Sequence, residues 1–198
     1  MEKFGLFPTL IYKQKEFISL KECKKIVKFY ENKKNIFEKH ESLLGNSLSS
    51  HANSLKLNLD ALQEISDIIK DNFKEKIKNV CEDYAKESGF GFSELENSWI
   101  NIQNPGSSLN MHTHPFSSFS GALYLNVDKD SSKIYFINPN PFMGFTDVKV
   151  LTPYTFQTYW FQPAIGDLIL FPSWLKHGSN GEINQSEKRI VLSFNTTI

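Results

Sequence analysis

Two of the five histidines stand one residue apart, in Met111-His112-Thr113-His114-Pro115. A third, His177, lies 65 positions beyond the first (177 − 112). In an extended segment alternate side chains share one face, so both rings of the pair can reach a single interior point. Pro115 helps, because the residue before a proline is pushed toward extended backbone. His177 ends Leu168-Ile169-Leu170-Phe171-Pro172-Ser173-Trp174-Leu175-Lys176-His177. This reads as a buried strand, a Pro-Ser turn and a short return that brings the imidazole back to the interior. Three neutral imidazoles suit ferrous iron, zinc or copper. A lone histidine is usually structural, and a His-x-His pair alone is a weak metal signal. The third ring and a late cation strengthen it. Arg189 follows 12 residues after His177 (189 − 177), inside the apolar run Arg189-Ile190-Val191-Leu192-Ser193-Phe194. A guanidinium held there offers a fork that binds a carboxylate through two parallel charge-assisted hydrogen bonds, so an acidic co-substrate beside the metal is expected.

The elements that must position these groups fall into two textures. Phe4 to Tyr12 reads as a short strand, with Pro8 marking an edge. Ser19 followed by Glu22 has capping-box spacing, and Leu20, Cys23, Ile26, Val27 and Tyr30 form one helical face after it. Residues 40–58 are rich in Ser and Asn and read as a loop or lid, with His40 and His51 as surface residues. From about Asn58 to Ser88 the apolar stripe Leu62, Ile65, Ile69, Phe73, Ile77, Val80, Tyr84 predicts one long helix, stopped by Gly89. Beyond it, short aromatic and β-branched runs alternate with Gly, Pro, Asn and Asp: 98–103, 120–127, 133–137, 155–161, 167–171 and 189–195. That pattern predicts roughly eight strands in an antiparallel sandwich or barrel. The expected class is therefore mainly β with N-terminal helices (α+β), two helices buttressing one outer face of the sheet. We expect one domain over 1–198, with 1–94 supplying the N-terminal strand and supporting helices and 95–198 the β core that carries the metal site.

Composition narrows the function. The chain has 198 residues, 40% of them hydrophobic, with 17 Phe, enough for a substantial aromatic core. Lys plus Arg and Asp plus Glu both number 22, so no global field favours nucleic acid or an anionic membrane. Cys23 and Cys81 lie in helical patterns far from the histidines and read as core residues, consistent with a reducing compartment. No run approaches the length of a membrane span and no signal-peptide pattern opens the chain, so a cytoplasmic location is expected. Exposed edge strands would permit a dimer.

At these residues the chain resembles the iron(II)- and 2-oxoglutarate-dependent oxygenase superfamily, closest to a small group of such oxygenases seen in marine bacteria and their phages. The resemblance spans roughly Asn97 to Ile198. It rests on four blocks in order: Ser98-Trp99-Ile100-Asn101; His112-x-His114-Pro115 with Ser120-Gly121-Ala122-Leu123-Tyr124-Leu125; Gly166-Asp167-Leu168-Ile169-Leu170-Phe171-Pro172-Ser173-Trp174-Leu175-x-His177; and Arg189-x-x-x-Ser193-Phe194-Asn195. It implies a double-stranded β-helix, a jelly-roll variant similar to the cupins, with Fe(II) at one mouth. His112 and His177 match the first and the distal iron ligands. Arg189 matches the arginine that pairs with the far carboxylate of 2-oxoglutarate, Tyr124 resembles the tyrosine that supports it, and Ser193 could add a hydroxyl. The implied activity is a dioxygenase, a hydroxylase releasing succinate and CO2. The second ligand position departs from the pattern, carrying His114 where the superfamily has Asp or Glu. His114 binds, or stands aside, or a carboxylate such as Asp128 or Asp147 substitutes; we favour three histidines.

Two other functions fit the same residues. A three-histidine, cupin-like dioxygenase would bind its organic substrate at the metal without 2-oxoglutarate and leave Arg189 without its stated role. A jelly-roll binding module or phage structural protein would keep the fold without catalysis. The substrate is unnamed by sequence, a small molecule or a protein side chain. Phe142, Met143 and Phe145 are placed either at its entrance or over the sheet.

Overall fold

The structure is a computed structural model that describes residues 1–2, 5, 7–92 and 94–197. Its strands are β1 (Tyr12–Gln14), β2 (Leu43–Leu44), β3 (Ser47–Ser49), β4 (Leu95–Gln103), β5 (Ser108–Leu109), β6 (Phe119–Asn126), β7 (Ile134–Ile137), β8 (Thr158–Phe161), β9 (Leu168–Pro172), β10 (His177–Gly178) and β11 (Arg189–Thr196). Its α-helices are α1 (Leu20–Asn32), α2 (His51–Leu57), α3 (Ala61–Ile69) and α4 (Phe73–Ser88). The chain is mostly β with its helices toward the N-terminus, and the described residues after Gly89 form eight strands, β4 to β11.

A six-stranded antiparallel sheet runs β1-β9-β6-β11-β4-β3, and a three-stranded sheet runs β10-β7-β8. Strand alternation sorts the six-stranded sheet into two faces. Ile100, Phe119, Leu123, Leu125, Leu168, Leu170, Ile190, Leu192 and Phe194 join the helices in one core. Ala122, Tyr124, Ile169, Phe171 and Val191, one residue out of step, join Ile134 and Phe136 of β7 in a second core. The helical core is tight: a Cβ added at Gly121 would fall 2.1 Å from the Phe194 ring, so glycine alone lets these strands carry that ring between them.

The helices follow the sequence in part. Ser19 caps α1 through its capping box with Glu22, and Cys23, Ile26 and Tyr30 are buried. The stripe from Leu62 to Tyr84 is buried as expected, with Val80 only partly so, but on two helices instead of one. The break falls at Lys70-Asp71-Asn72, where Lys70 takes a left-handed conformation (φ 57°) and the Asp71 carboxylate accepts from the Asn72 N–H at 2.8 Å. Short polar side chains that bond nearby backbone compete with the helix in this way. Residues 40–58 are also more ordered than a lid. They hold β2, β3 and α2, and β3 extends the main sheet by pairing with the end of β4. The strand expected over Phe4 to Tyr12 is instead β1, which begins at Tyr12 because only Tyr12–Gln14 pairs with β9. Phe4 and Leu6 lie outside the described residues. No helix among the described residues is long and apolar enough to cross a membrane.

Candidate metal centre and its cavity

His112 sits in extended backbone that touches β10 through an isolated antiparallel bridge, His112 N–H to His177 C=O at 2.9 Å and His177 N–H to His112 C=O at 3.0 Å. Close approach here depends on Gly178, where a Cβ would meet the Asn110 carbonyl oxygen at 2.6 Å. His114 is fixed from the other side, its N–H donating to the Ser173 carbonyl at 2.9 Å. His177 returns after β9 through a turn closed by Leu175 N–H to Pro172 C=O (2.9 Å), as its sequence implied.

These anchors bring the three imidazoles together. Ring centroids lie 4.4 Å apart for His112–His177 and 5.0 Å for each pair with His114. One ligand atom from each falls within 4.8 Å of the other two. Every Nδ1 meets oxygen: His112 the Asn110 carbonyl (2.8 Å), His177 the Leu175 carbonyl (2.8 Å), and His114 the Asn195 Oδ1 (2.6 Å) and Ser120 Oγ (2.8 Å). A ring whose Nδ1–H is spent on an acceptor presents its Nε2 lone pair. The His112 and His114 Nε2 atoms stand 3.0 Å apart, two lone pairs that repel unless a cation takes both. Burial lowers all three pKa values, His114 to about 4, with neighbouring imidazoles adding to the effect at His114 and His177. The rings are therefore neutral at pH 7, the state a metal requires. This donor set fits a divalent first-row ion. No carboxylate joins the cluster among the described residues. Asp147 pairs with exposed Lys149 and Asp128 holds the turn at Asp130 and Ser131, so the carboxylate substitution left open by the sequence has no support.

The imidazoles open onto a cavity of about 450 Å3 whose lining includes Tyr124, Gln103, Arg189, Ser193 and Asn195. Arg189 is 5% exposed. Its Nε donates to the Ser132 carbonyl (3.2 Å), one terminal nitrogen donates to Gln103 Oε1, and its guanidinium lies 5.3 Å from the Tyr124 ring centroid. None of the ion pairs among the described residues includes it. Burial lowers its pKa, an effect that Tyr124 and Glu182 oppose. Burial likewise pushes the Tyr124 phenol up to about 12, against the pull of Arg189, so it stays protonated. Ser193 Oγ accepts from Asn101 Nδ2 at 3.3 Å.

Several residues of the site escape a reading by motif. Gln103 appears in none of the four blocks, and Ser120 and Ser173 stand inside them without an assigned role, yet the strand Ser98–Gln103 did carry a signal: Trp99, Asn101 and Gln103 alternate with Ile100 and Ile102, a row on the face opposite the helical core. His40 and His51 are not ordinary surface residues. Both line the cavity, 5.0 Å apart, and His51 packs edge-on to Trp99 at 4.6 Å. Phe142, Met143 and Phe145 do not line it; Phe142 and Phe145 are exposed.

Comparison with solved structures finds the same fold elsewhere. A Pseudomonas putida prolyl-4-hydroxylase superposes with a TM-score of 0.62 at 12% identity, covering 96% of this chain and 94% of that one. The viral collagen prolyl hydroxylase of Paramecium bursaria Chlorella virus-1, in its 2OG complex, gives 0.54 at 15%, covering 95% and 96%. HygX from Streptomyces hygroscopicus, with nickel and 2-oxoglutarate bound, gives 0.54 at 11%, covering 94% and 82%. At these identities the likeness is one of fold. No curated protein sequence matches the chain. Residues 97–195, half of the chain, match the family model described as "Putative 2OG-Fe(II) oxygenase", and the chain belongs to that family, whose metal is iron(II) and whose co-substrate is 2-oxoglutarate.

Proposed function

We propose that the protein is an iron(II)- and 2-oxoglutarate-dependent dioxygenase that hydroxylates a small molecule or a protein side chain and releases succinate and CO2. The two facing sheets are read as its double-stranded β-helix, with 95–198 as the catalytic core and 1–94 as support. His112, His114 and His177 would hold the iron, which when bound activates O2 and the 2-oxo acid for oxidation. Arg189, with Tyr124 and Ser193 beside it, would hold the far carboxylate of the co-substrate. His114 takes the place usual for a carboxylate, so the protein adds no negative charge to the ion. The site then favours an anionic ligand more strongly than a two-histidine, one-carboxylate site would.

The observation that carries this reading is Arg189, a buried guanidinium without a carboxylate partner among the described residues, lining the same cavity as three converging imidazoles. A buried charge is costly unless paired, so the pocket is built for an acid that arrives from outside. The three-histidine dioxygenase that ignores 2-oxoglutarate would leave that charge without purpose. The test is iron-dependent succinate formation from 2-oxoglutarate in the absence of added substrate. Succinate that requires both iron and Arg189 supports the proposal. Iron-loaded protein that forms none, although the metal is bound, removes it.

A further inference from the structure

Gln103 ends β4 directly opposite Arg189 in the β4–β11 register and is 1% exposed. Its Oε1 accepts from Arg189, while its Nε2 is buried without a hydrogen-bond partner. The reverse orientation of the amide would set its NH2 against the guanidinium N–H groups, donor against donor, so Arg189 itself fixes which end faces away. Beside it, Ser132 gives its carbonyl to Arg189 Nε, and the Ser132 Oγ is also buried without a partner. Buried donors are almost always satisfied, so an orphaned amide on a residue that lines the cavity beside a buried cation marks a missing acceptor. Glu182, the carboxylate whose charge acts on Arg189, is spent on Lys133, 2.7 Å from its Nζ and 2.8 Å from its backbone N–H.

Resting on the function proposed above, we infer that Gln103 is the second arm of the co-substrate's carboxylate receptor: its Nε2 donates to the same far carboxylate that Arg189 binds. A carboxylate has about four lone-pair sites, enough for this set of donors. The amide is the chemical choice that makes the receptor work. It accepts from Arg189 and holds the fork without cancelling its charge. A carboxylate at position 103 would pair with Arg189 internally and close the receptor.

The test compares wild type, Gln103→Glu and Gln103→Met, each loaded anaerobically with Fe(II) and titrated by calorimetry. The ligands are 2-oxoglutarate and 2-oxopentanoate, which has the same chain length but no far carboxylate. Gln103→Glu should weaken 2-oxoglutarate at least about 30-fold, the loss expected when charge-assisted hydrogen bonds give way to an internally neutralised arginine. It should leave 2-oxopentanoate and iron affinity within about threefold, and should raise the Tm of the metal-free protein by satisfying a buried charge. Gln103→Met, which keeps the volume and drops the donor, should weaken 2-oxoglutarate about 10-fold. Binding of 2-oxoglutarate by Gln103→Glu within threefold of wild type overturns the inference, as does an equal loss for both ligands. Wild type that binds iron but neither acid overturns the functional reading beneath it.

Discussion

At the residue scale the site divides into groups that chemistry announces and groups that only geometry finds. Histidine is rare and its spacing is informative, so His112, His114 and His177 were legible, as was Arg189 in its apolar strand. Gln103 was not, and Asn195, although it closes the Arg189 block, could be read equally as facing the metal or as ending its strand, because amides are common at strand ends and their role lies in what they face. Asn195 meets His114 Nδ1 at 2.6 Å and, with Ser120 and Ser173, holds that ring in place. Hydrogen-bonded partners of this kind orient a ligand and typically contribute 10–100-fold in metal affinity. Asn195→Ala is therefore expected to weaken iron about 10–100-fold while leaving the fold intact, by metal titration with circular dichroism as control. Arg189→Ala should do the reverse: 2-oxoglutarate binding falls by about 2–5 kcal/mol and iron affinity changes little. Unchanged 2-oxoglutarate affinity in that variant would show that the guanidinium is not the receptor.

At the element scale, periodicity located most strands and the buried helical stripe, but not the interruptions. The break at Lys70-Asp71-Asn72 leaves the apolar spacing intact, so a pattern of hydrophobic residues passes through it unseen. Lys70 is exposed with φ 57°, a conformation that costs an L-residue more than glycine. Lys70→Gly is expected to stabilise the protein modestly, by roughly 0.5–1 kcal/mol, seen as a higher Tm without change in metal binding. Gly178 behaves oppositely. Its missing Cβ lets the His112 segment lie on β10, and Gly178→Ala should push the two apart and weaken iron binding as well as stability. A variant with wild-type iron affinity would show that the bridge does not set the ligand geometry. The segment 40–58 was illegible for a different reason: β2, β3 and α2 are two, three and seven residues long, too short for a period to emerge, and the two strands are held by pairing with distant strands.

At the scale of the whole molecule, the six-stranded sheet is a partition. One face packs on helices and gives stability; the other carries the polar row and the cavity. The cavity places three desolvated imidazoles in a fold that would otherwise gain from apolar residues there. Their folded pKa values lie below the unfolded value of about 6.5, His114 at about 4. Below pH 6.5 the unfolded chain binds protons that the folded metal-free chain resists. The stability these groups contribute is thus present above about pH 6.5 and lost as pH falls through their folded values. The Tm of metal-free protein should fall between pH 7 and pH 5, and His114→Ala should flatten that slope. A bound divalent ion should raise Tm, by about 2.7 kcal/mol of stability at a hundredfold excess over Kd, and a chelator should reverse it.

In the proposed function three imidazoles and one buried guanidinium form a single receptor for iron and a dicarboxylate. Its most direct measurement is an anaerobic titration of the metal-free protein with ferrous iron and then 2-oxoglutarate, followed in the visible spectrum. One iron per chain is expected, with a charge-transfer band that appears only when both are present and saturates at one 2-oxoglutarate. Iron binding with no band at any 2-oxoglutarate concentration, or a band unchanged in Arg189→Ala, would contradict it.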